Sequence, residues 1–212
     1  MTLWLYGCAI AWGTAYGLFI LARRRDHLRA AAKTIAVTLL AATALLSGQP
    51  VLLVLALALS ALGDFFLAYE GEHNFFAGLV SFLLAHIAYC TLFFAGQDPV
   101  WSGGIGFFAG TIAIFAFALA MLRQLRPHLG KMRLPVTLYT GILSAMAIAA
   151  LSRGLDPVLL PGIGLLLASD TVLAFERFVF APDSPNRRWS GPVIWFTYLF
   201  GQALVLATFL FA

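Results

Sequence analysis

GDFFLAYE, residues 63–70, sets Asp64 inside one of the most apolar parts of the chain, where a charge is expected to be expelled. SDTVLAFE, residues 169–176, repeats it almost letter for letter and sets Asp170 106 positions further on. Both stretches read as a small residue, Asp, two variable positions, Leu, Ala, an aromatic residue and Glu. The solvent around these carboxylates follows from composition. The chain of 212 residues is 62% hydrophobic and only 10% charged, with a mean hydropathy of +0.94, far more apolar than a soluble globular domain. This is the composition of an integral membrane protein.

A bilayer core of roughly 30 Å needs about 20 apolar residues per helix, and on that rule the sequence divides into eight spans. Their expected bounds are 2–22, 30–47, 51–70, 75–95, 103–122, 135–152, 158–179 and 191–211. Gly, Pro and charged residues mark the breaks, as in SGQP at 47–50, GQDP at 96–99, RPHLGKMRLP at 126–135 and APDSPNRRW at 181–189. No connection is long enough for a separate soluble domain. The expected architecture is therefore all-α, a single transmembrane domain over residues 1–212.

Lys and Arg collect on the cytoplasmic side of membrane helices. Arg23, Arg24, Arg25, Arg29 and Lys33 fall between spans 1 and 2. Arg123, Arg126, Lys131 and Arg133 fall between spans 5 and 6, and Arg177, Arg187 and Arg188 between spans 7 and 8. Only Arg153 falls opposite, which predicts both termini outside. The first span has no basic residue before it and RRR after it, the reverse of a secretory signal, so it is expected to be retained. Topology accounts for the pI of about 9.4 without nucleic acid, and a basic inner face also attracts anionic lipid headgroups. Cys8 and Cys90 both lie within spans, which disfavours a disulfide or a cysteine metal site.

Asp64 lies in span 3 and Asp170 in span 7, both running outside to inside. The halves, about 1–100 and 101–212, thus read as a parallel four-plus-four internal repeat with the two acids at matched depth. Each Asp is expected roughly 9 Å before the Glu of its motif, so the site opens toward the cytoplasmic leaflet. A lone intramembrane acid costs roughly 2.5–3.5 kcal/mol on insertion scales, so such residues face the bundle interior and mark function. The competing reading is a hydrogen-bonded pair that only ties span 3 to span 7. Phe82, His86 and Tyr89 share one face of span 4 by their spacing. Tyr198 and Gln202 lie one turn apart in span 8 with Trp195 on the same side. Tyr139 opens span 6 and Lys33 enters span 2, both from the cytoplasmic end. A lone Tyr is more often an interfacial anchor and a lone His a packed core residue. Their common depth with the aspartates favours the functional reading.

LSALGDFFL, FFAGLVSFLLAHIAY, YTGILSAM, LLASDTVLAF and TYLFGQALVL, in that order across nearly the whole chain, resemble the YhhN family of lysoplasmalogenases. The resemblance implies an eight-span hydrolase that needs no cofactor. Its expected reaction cleaves the vinyl ether bond of a lysophospholipid, lysoplasmalogen, to a fatty aldehyde and glycerophosphoethanolamine or glycerophosphocholine. The family's polar positions fall here on Lys33, Asp64, His86, Tyr89, Tyr139, Asp170, Tyr198 and Gln202. Leu199 stands where the family often has a second Tyr.

Vinyl ether chemistry fits these residues independently. Protonation of the β-carbon creates an oxocarbenium ion, water adds, and the hemiacetal collapses to aldehyde and alcohol. That sequence needs one acid and one base. Two carboxylates in one low-dielectric site do not both ionise readily, so one is expected to keep its proton while the other steadies the cation and orients water. Sequence does not divide the roles, since coupled groups titrate as a pair; Asp170 is preferred as the acid. Lys33 and the tyrosines are expected to hold the phosphodiester at the leaflet surface.

Rival readings have less support. GD at 63–64 resembles the GxGD signature of intramembrane aspartyl proteases, but position 61 is Ala and no PAL segment follows. A zinc amidase needs several embedded histidines, whereas His27, His73 and His128 lie in or beside loops. The alternative from another class is a transporter or lipid-binding carrier, because parallel repeats with midplane acids are also transporter architecture. Ala, Leu and Arg usage points to a bacterial inner membrane.

Overall fold

The computed structural model describes residues 2–22, 27–95, 104–154 and 156–211. Arg23, Arg24, Arg25 and Asp98, which bear on the topology reading, lie outside the described residues. Every regular element among the described residues is helical. Helix α1 spans Thr2–Ala15 and continues as a wider π turn over Tyr16–Ile20. It is followed by α2 (His27–Leu46), α3 (Val51–Leu67), α4 (Glu72–Phe94) and α5 (Ile105–Leu125). Two short 3-10 turns, Arg126–His128 and Gly130–Met132, lead into α6 (Arg133–Leu151), α7 (Leu159–Phe178) and α8 (Arg187–Leu210). Seven of these helices are long and apolar enough to cross a membrane, and Val51–Leu67 is shorter. The chain is a multi-pass membrane protein.

Helix α3 departs most from expectation. It starts after Pro50, whose fixed φ suits a helix entry. Instead of reaching Glu70 it stops at Leu67, with the Ala68 N–H bonded back to the Asp64 carbonyl. The chain then turns through Gly71 at φ 109°, a conformation that side chains with a Cβ rarely take, and α4 begins with Glu72 in its first turn. In α7, by contrast, the helix runs on past Glu176 to Phe178. The two motifs therefore match at Asp and diverge at Glu.

Lipid-facing helices cannot pack by expelling apolar surface from water, so small residues and polar ties hold them together. Helices α7 and α8 cross so closely that a Cβ at Gly201 would lie 3.0 Å from the Gly162 carbonyl oxygen, and one at Gly162 3.2 Å from that of Gly201. Indole N–H groups close α1 against its neighbours: Trp12 donates to the Ala32 carbonyl and Trp195 to that of Gly13, each at 2.8 Å. The main core draws on α1, α2, α3, α4, α6, α7 and α8, with Leu40, Leu57, Met146, Leu166 and Leu199 fully buried. Helix α5 leans on the outside and buries only Met121 and Leu125, while Phe108, Ile112 and Phe115 stay exposed.

One end of the bundle gathers the α1–α2, α3–α4, α5–α6 and α7–α8 connections. His27 Nδ1 stands 2.9 Å from the Tyr69 hydroxyl, and the Arg177 guanidinium lies over the Phe75 ring at 4.5 Å. His73, His128, Lys131 and Arg177 line a single cavity there.

Candidate active site

Burial of the motif aspartates follows from where α3 and α7 sit. Asp64 is one turn beyond Ser60 on the inner face of α3, and both are buried. Its Oδ1 lies 2.8 Å from the Lys33 Nζ of α2. That ammonium also stands 5.9 Å from the centre of the Trp195 ring, a distance at which an aromatic face attracts a cation. Oδ2 of Asp64 and the Tyr198 hydroxyl are buried and make no hydrogen bond among the described residues. Both residues line one cavity.

Asp170 lines the same cavity with different company. Its Oδ2 accepts a 2.7 Å hydrogen bond from the Tyr139 hydroxyl of α6. His86 Nε2 of α4 lies 3.7 Å from the same oxygen, close enough to pair if the ring is protonated, and the His86 and Tyr139 rings meet edge to face at 5.4 Å. One acid thus faces an ammonium, and the other a phenol and an imidazole.

Tyr89 and Gln202 lie apart from this cavity. The Tyr89 hydroxyl donates to Gln202 Oε1 at 2.5 Å, and Gln202 Nε2 donates to Ser60 Oγ at 3.1 Å. The expectation that both touch substrate meets a different geometry: they satisfy each other in the core and tie α4 and α8 to α3 one turn from Asp64. Of the eight candidates, Lys33, Asp64, Asp170 and Tyr198 line the shared cavity. Tyr139 and His86 reach it through Asp170.

Two adjoining cavities meet at shared walls and form a polar and an apolar branch of the site. The polar one also contains Tyr16, Arg29 and Glu176. Leu67, Phe82, Asp170 and Leu173 line this branch and also a second, almost wholly apolar one, which continues past Leu79, Met121, Val136 and Leu143. Asp170 is thus the acid at the junction of a polar and an apolar compartment. Sequence reading left out Ser60, Arg29 and Glu176 as site residues. Ser60 and Arg29 carried a usable signal, each lying one helical turn before a candidate, Asp64 and Lys33 respectively. Among the described residues no three His, Cys, Asp or Glu side chains converge to hold a metal ion.

No curated protein and no solved structure matches the chain. The model of the YhhN family matches residues 28–209, a span that runs from α2 through α8 and takes in both aspartates and every other candidate residue, so the chain belongs to the YhhN family.

Proposed function

We propose that this protein is a lysoplasmalogenase-like hydrolase that cleaves the vinyl ether bond of a lysoplasmalogen. The observation that carries the reading is the unequal company of the two aspartates on one cavity: Lys33 at 2.8 Å from Asp64, Tyr139 at 2.7 Å from Asp170. An opposite charge in contact favours the ionised form of a carboxyl group, which suits Asp64 to steady a cation and orient water. Asp170, with no ammonium against it, is assigned the proton. The vinyl ether then lies at the junction, its hydrocarbon chain in the apolar branch and its glycerol in the polar one.

Asp170 gives its proton to the β-carbon, and the double-bond electrons that bind it leave an oxocarbenium ion facing the Asp64 carboxylate. Water adds to the cationic carbon and loses a proton within the acid pair, so the site regains the proton it gave. The hemiacetal hydroxyl then gives its proton to the ionised acid as the glycerol oxygen takes one from the protonated acid, the carbon–oxygen bond breaks, and aldehyde and glycerophospho alcohol leave. Aldehyde is the species that separates this reading from a carrier. Protein purified in detergent and supplied with lysoplasmalogen is expected to release aldehyde. Asp64→Asn and Asp170→Asn each remove at least about 99% of the rate, a loss typical of a deleted acid or base; Asp170→Asn keeps its thermal stability, and Asp64→Asn, which strands the Lys33 ammonium, is compared per folded protein. Near-normal turnover in either variant removes that residue from the mechanism. Movement of intact lipid across sealed vesicles without aldehyde would establish the carrier instead.

The same reading takes α3 as an eighth span and both termini as outside, in a bacterial inner membrane, with the site opening toward the cytoplasmic leaflet. What supports it is the end of the bundle at which the basic connections gather, since basic residues are retained inside.

A further inference from the structure

We propose that Arg29 and Glu176 are the residues of the polar branch that select the substrate's headgroup, Arg29 taking the phosphate and Glu176 the ammonium. The inference rests on the reading of a lysoplasmalogen as substrate and adds the two side chains that recognise its head.

Both residues line the cavity that holds the aspartates. Arg29 precedes Lys33 by one turn of α2, about 6 Å nearer the start of that helix. Glu176 follows Asp170 by six residues of α7, about 9 Å nearer its end. The start of α2 and the end of α7 lie at the same end of the bundle, so a cation and an anion stand together beyond the acid pair. In a vinyl ether glycerophospholipid about seven bonds separate the β-carbon from phosphorus, on the order of 9 Å when extended. The nitrogen of an ethanolamine or choline head is about four bonds further. With the β-carbon at Asp170, the phosphate reaches the level of Arg29, and the ammonium folds back toward Glu176.

Each group suits its assigned partner. A guanidinium matches phosphate oxygens in a planar fork, and Arg29 is oriented by an Nε contact of 3.4 Å to the Tyr16 hydroxyl. The Glu176 carboxylate is held by a hydrogen bond from the Ser190 hydroxyl, a neutral donor. Arg187 donates from Nε to the Ala181 carbonyl and from Nη2 to the carbonyls of Glu176 and Phe180. Among the described residues no cation stands within ion-pair distance of the Glu176 carboxylate. The proposed hydrolysis leaves it without a task. A headgroup ammonium complements it, and a second anionic group in the head is repelled by it, which makes Glu176 a source of discrimination as well as attraction.

The test uses full-length protein in detergent micelles and three saturated monoalkyl ethers of one chain length, none of which contains a vinyl ether. They carry glycerophosphoethanolamine, glycerophosphoglycerol or glycerol alone, and equilibrium binding is read by competition against a labelled ethanolamine lipid. Wild type is expected to prefer the ethanolamine head over phosphoglycerol about tenfold, the scale of one hydrogen-bonded charge contact. Glu176→Gln brings that ratio close to one. Arg29→Gln weakens both phospholipids about tenfold and leaves alkylglycerol binding unchanged. If Glu176→Gln does not fold, Glu176→Asp is read instead, and its shorter reach gives an intermediate ratio. A ratio unmoved by the Glu176 variants, or an Arg29→Gln loss that is equal for alkylglycerol, overturns the assignment. Failure of hydrolysis with the headgroup ratio intact counts only against the reaction. Normal hydrolysis with an unmoved ratio counts only against the headgroup site.

Discussion

In the contact of Lys33 with Asp64 charge is met by charge, and its energetics set a prediction. Both groups leave water on folding, with 17% of the Lys33 side chain and 1% of Asp64 still exposed. The pair therefore contributes little net stability, but removing one partner strands the other at a cost of about 3–5 kcal/mol. Lys33→Met is expected to lower the detergent unfolding midpoint sharply, and Lys33→Met combined with Asp64→Asn to recover most of the loss, because the neutral amide needs no counter-charge. If the double variant is as unstable as the single one, Lys33 contributes through packing alone. This pair was only half legible in the sequence. Helical spacing and depth place both residues near the same level, but nothing in the letters says that Lys33 turns inward to an acid rather than outward to a phosphate. Tyr89 and Gln202 show the same limit. Their depth made them candidates, whereas the hydrogen bonds that pair them depend on how α4 and α8 face each other, which spacing along one helix does not record.

Helix ends and helix crossings decide how well the two motifs correspond. Glu70 and Glu176 occupy matching positions in the repeated letters, yet one lies in a turn and the other inside a helix. The difference lies in the connection: α3 stops at Leu67 and Gly71, at positive φ, turns the chain into α4, while the segment after Glu176 carries no such residue before α7 stops. Apolar run length and hydropathy located every helix, with ends off by a few residues where frayed turns and 3-10 segments intervene. The close contact of α7 and α8 was not legible, because a glycine in a membrane helix has many uses. Its consequence is measurable. A methyl group at Gly201 meets the Gly162 carbonyl oxygen at 3.0 Å and the Leu166 side chain at 2.9 Å, so Gly201→Ala is expected to push the helices apart and cost about 1–3 kcal/mol. That cost is read as a lower unfolding midpoint in detergent. Since α7 carries Asp170 and α8 carries Tyr198, hydrolysis should fall in the same variant. A stability equal to wild type would mean that the pair is free to separate without strain.

Across the whole molecule the basic residues supply the organising signal, and it is electrostatic rather than local. The described connections rich in Arg and Lys meet at one end, where Arg177 covers Phe75 and Lys131, His73 and His128 share a cavity wall. Arg153, in the α6–α7 connection, lies with the opposite set of loops and stands 5.7 Å from the Phe209 ring near the end of α8. The positive-inside rule then turns an internal arrangement into a direction across the membrane. The prediction is read in a background with Cys8 and Cys90 replaced by Ser, because Cys8 is exposed and either thiol complicates labelling. Single cysteines placed beside Arg126 and beside Arg187 are expected to react with a membrane-impermeant thiol reagent only after the membrane is opened. A cysteine beside residue 98 is expected to react in intact cells. The reverse pattern would turn the molecule over and aim the mouth formed by Arg29 and Glu176 at the outer leaflet. The lipid pool that supplies the site would then change, although the geometry of the acid pair would not. Labelling from the same side of single cysteines placed at Gln49 and at Glu72, which flank α3, with a cytoplasmic control protein unlabelled, would mean that α3 fails to cross. In that case the short length of Val51–Leu67 reflects a helix buried within the bundle rather than a span.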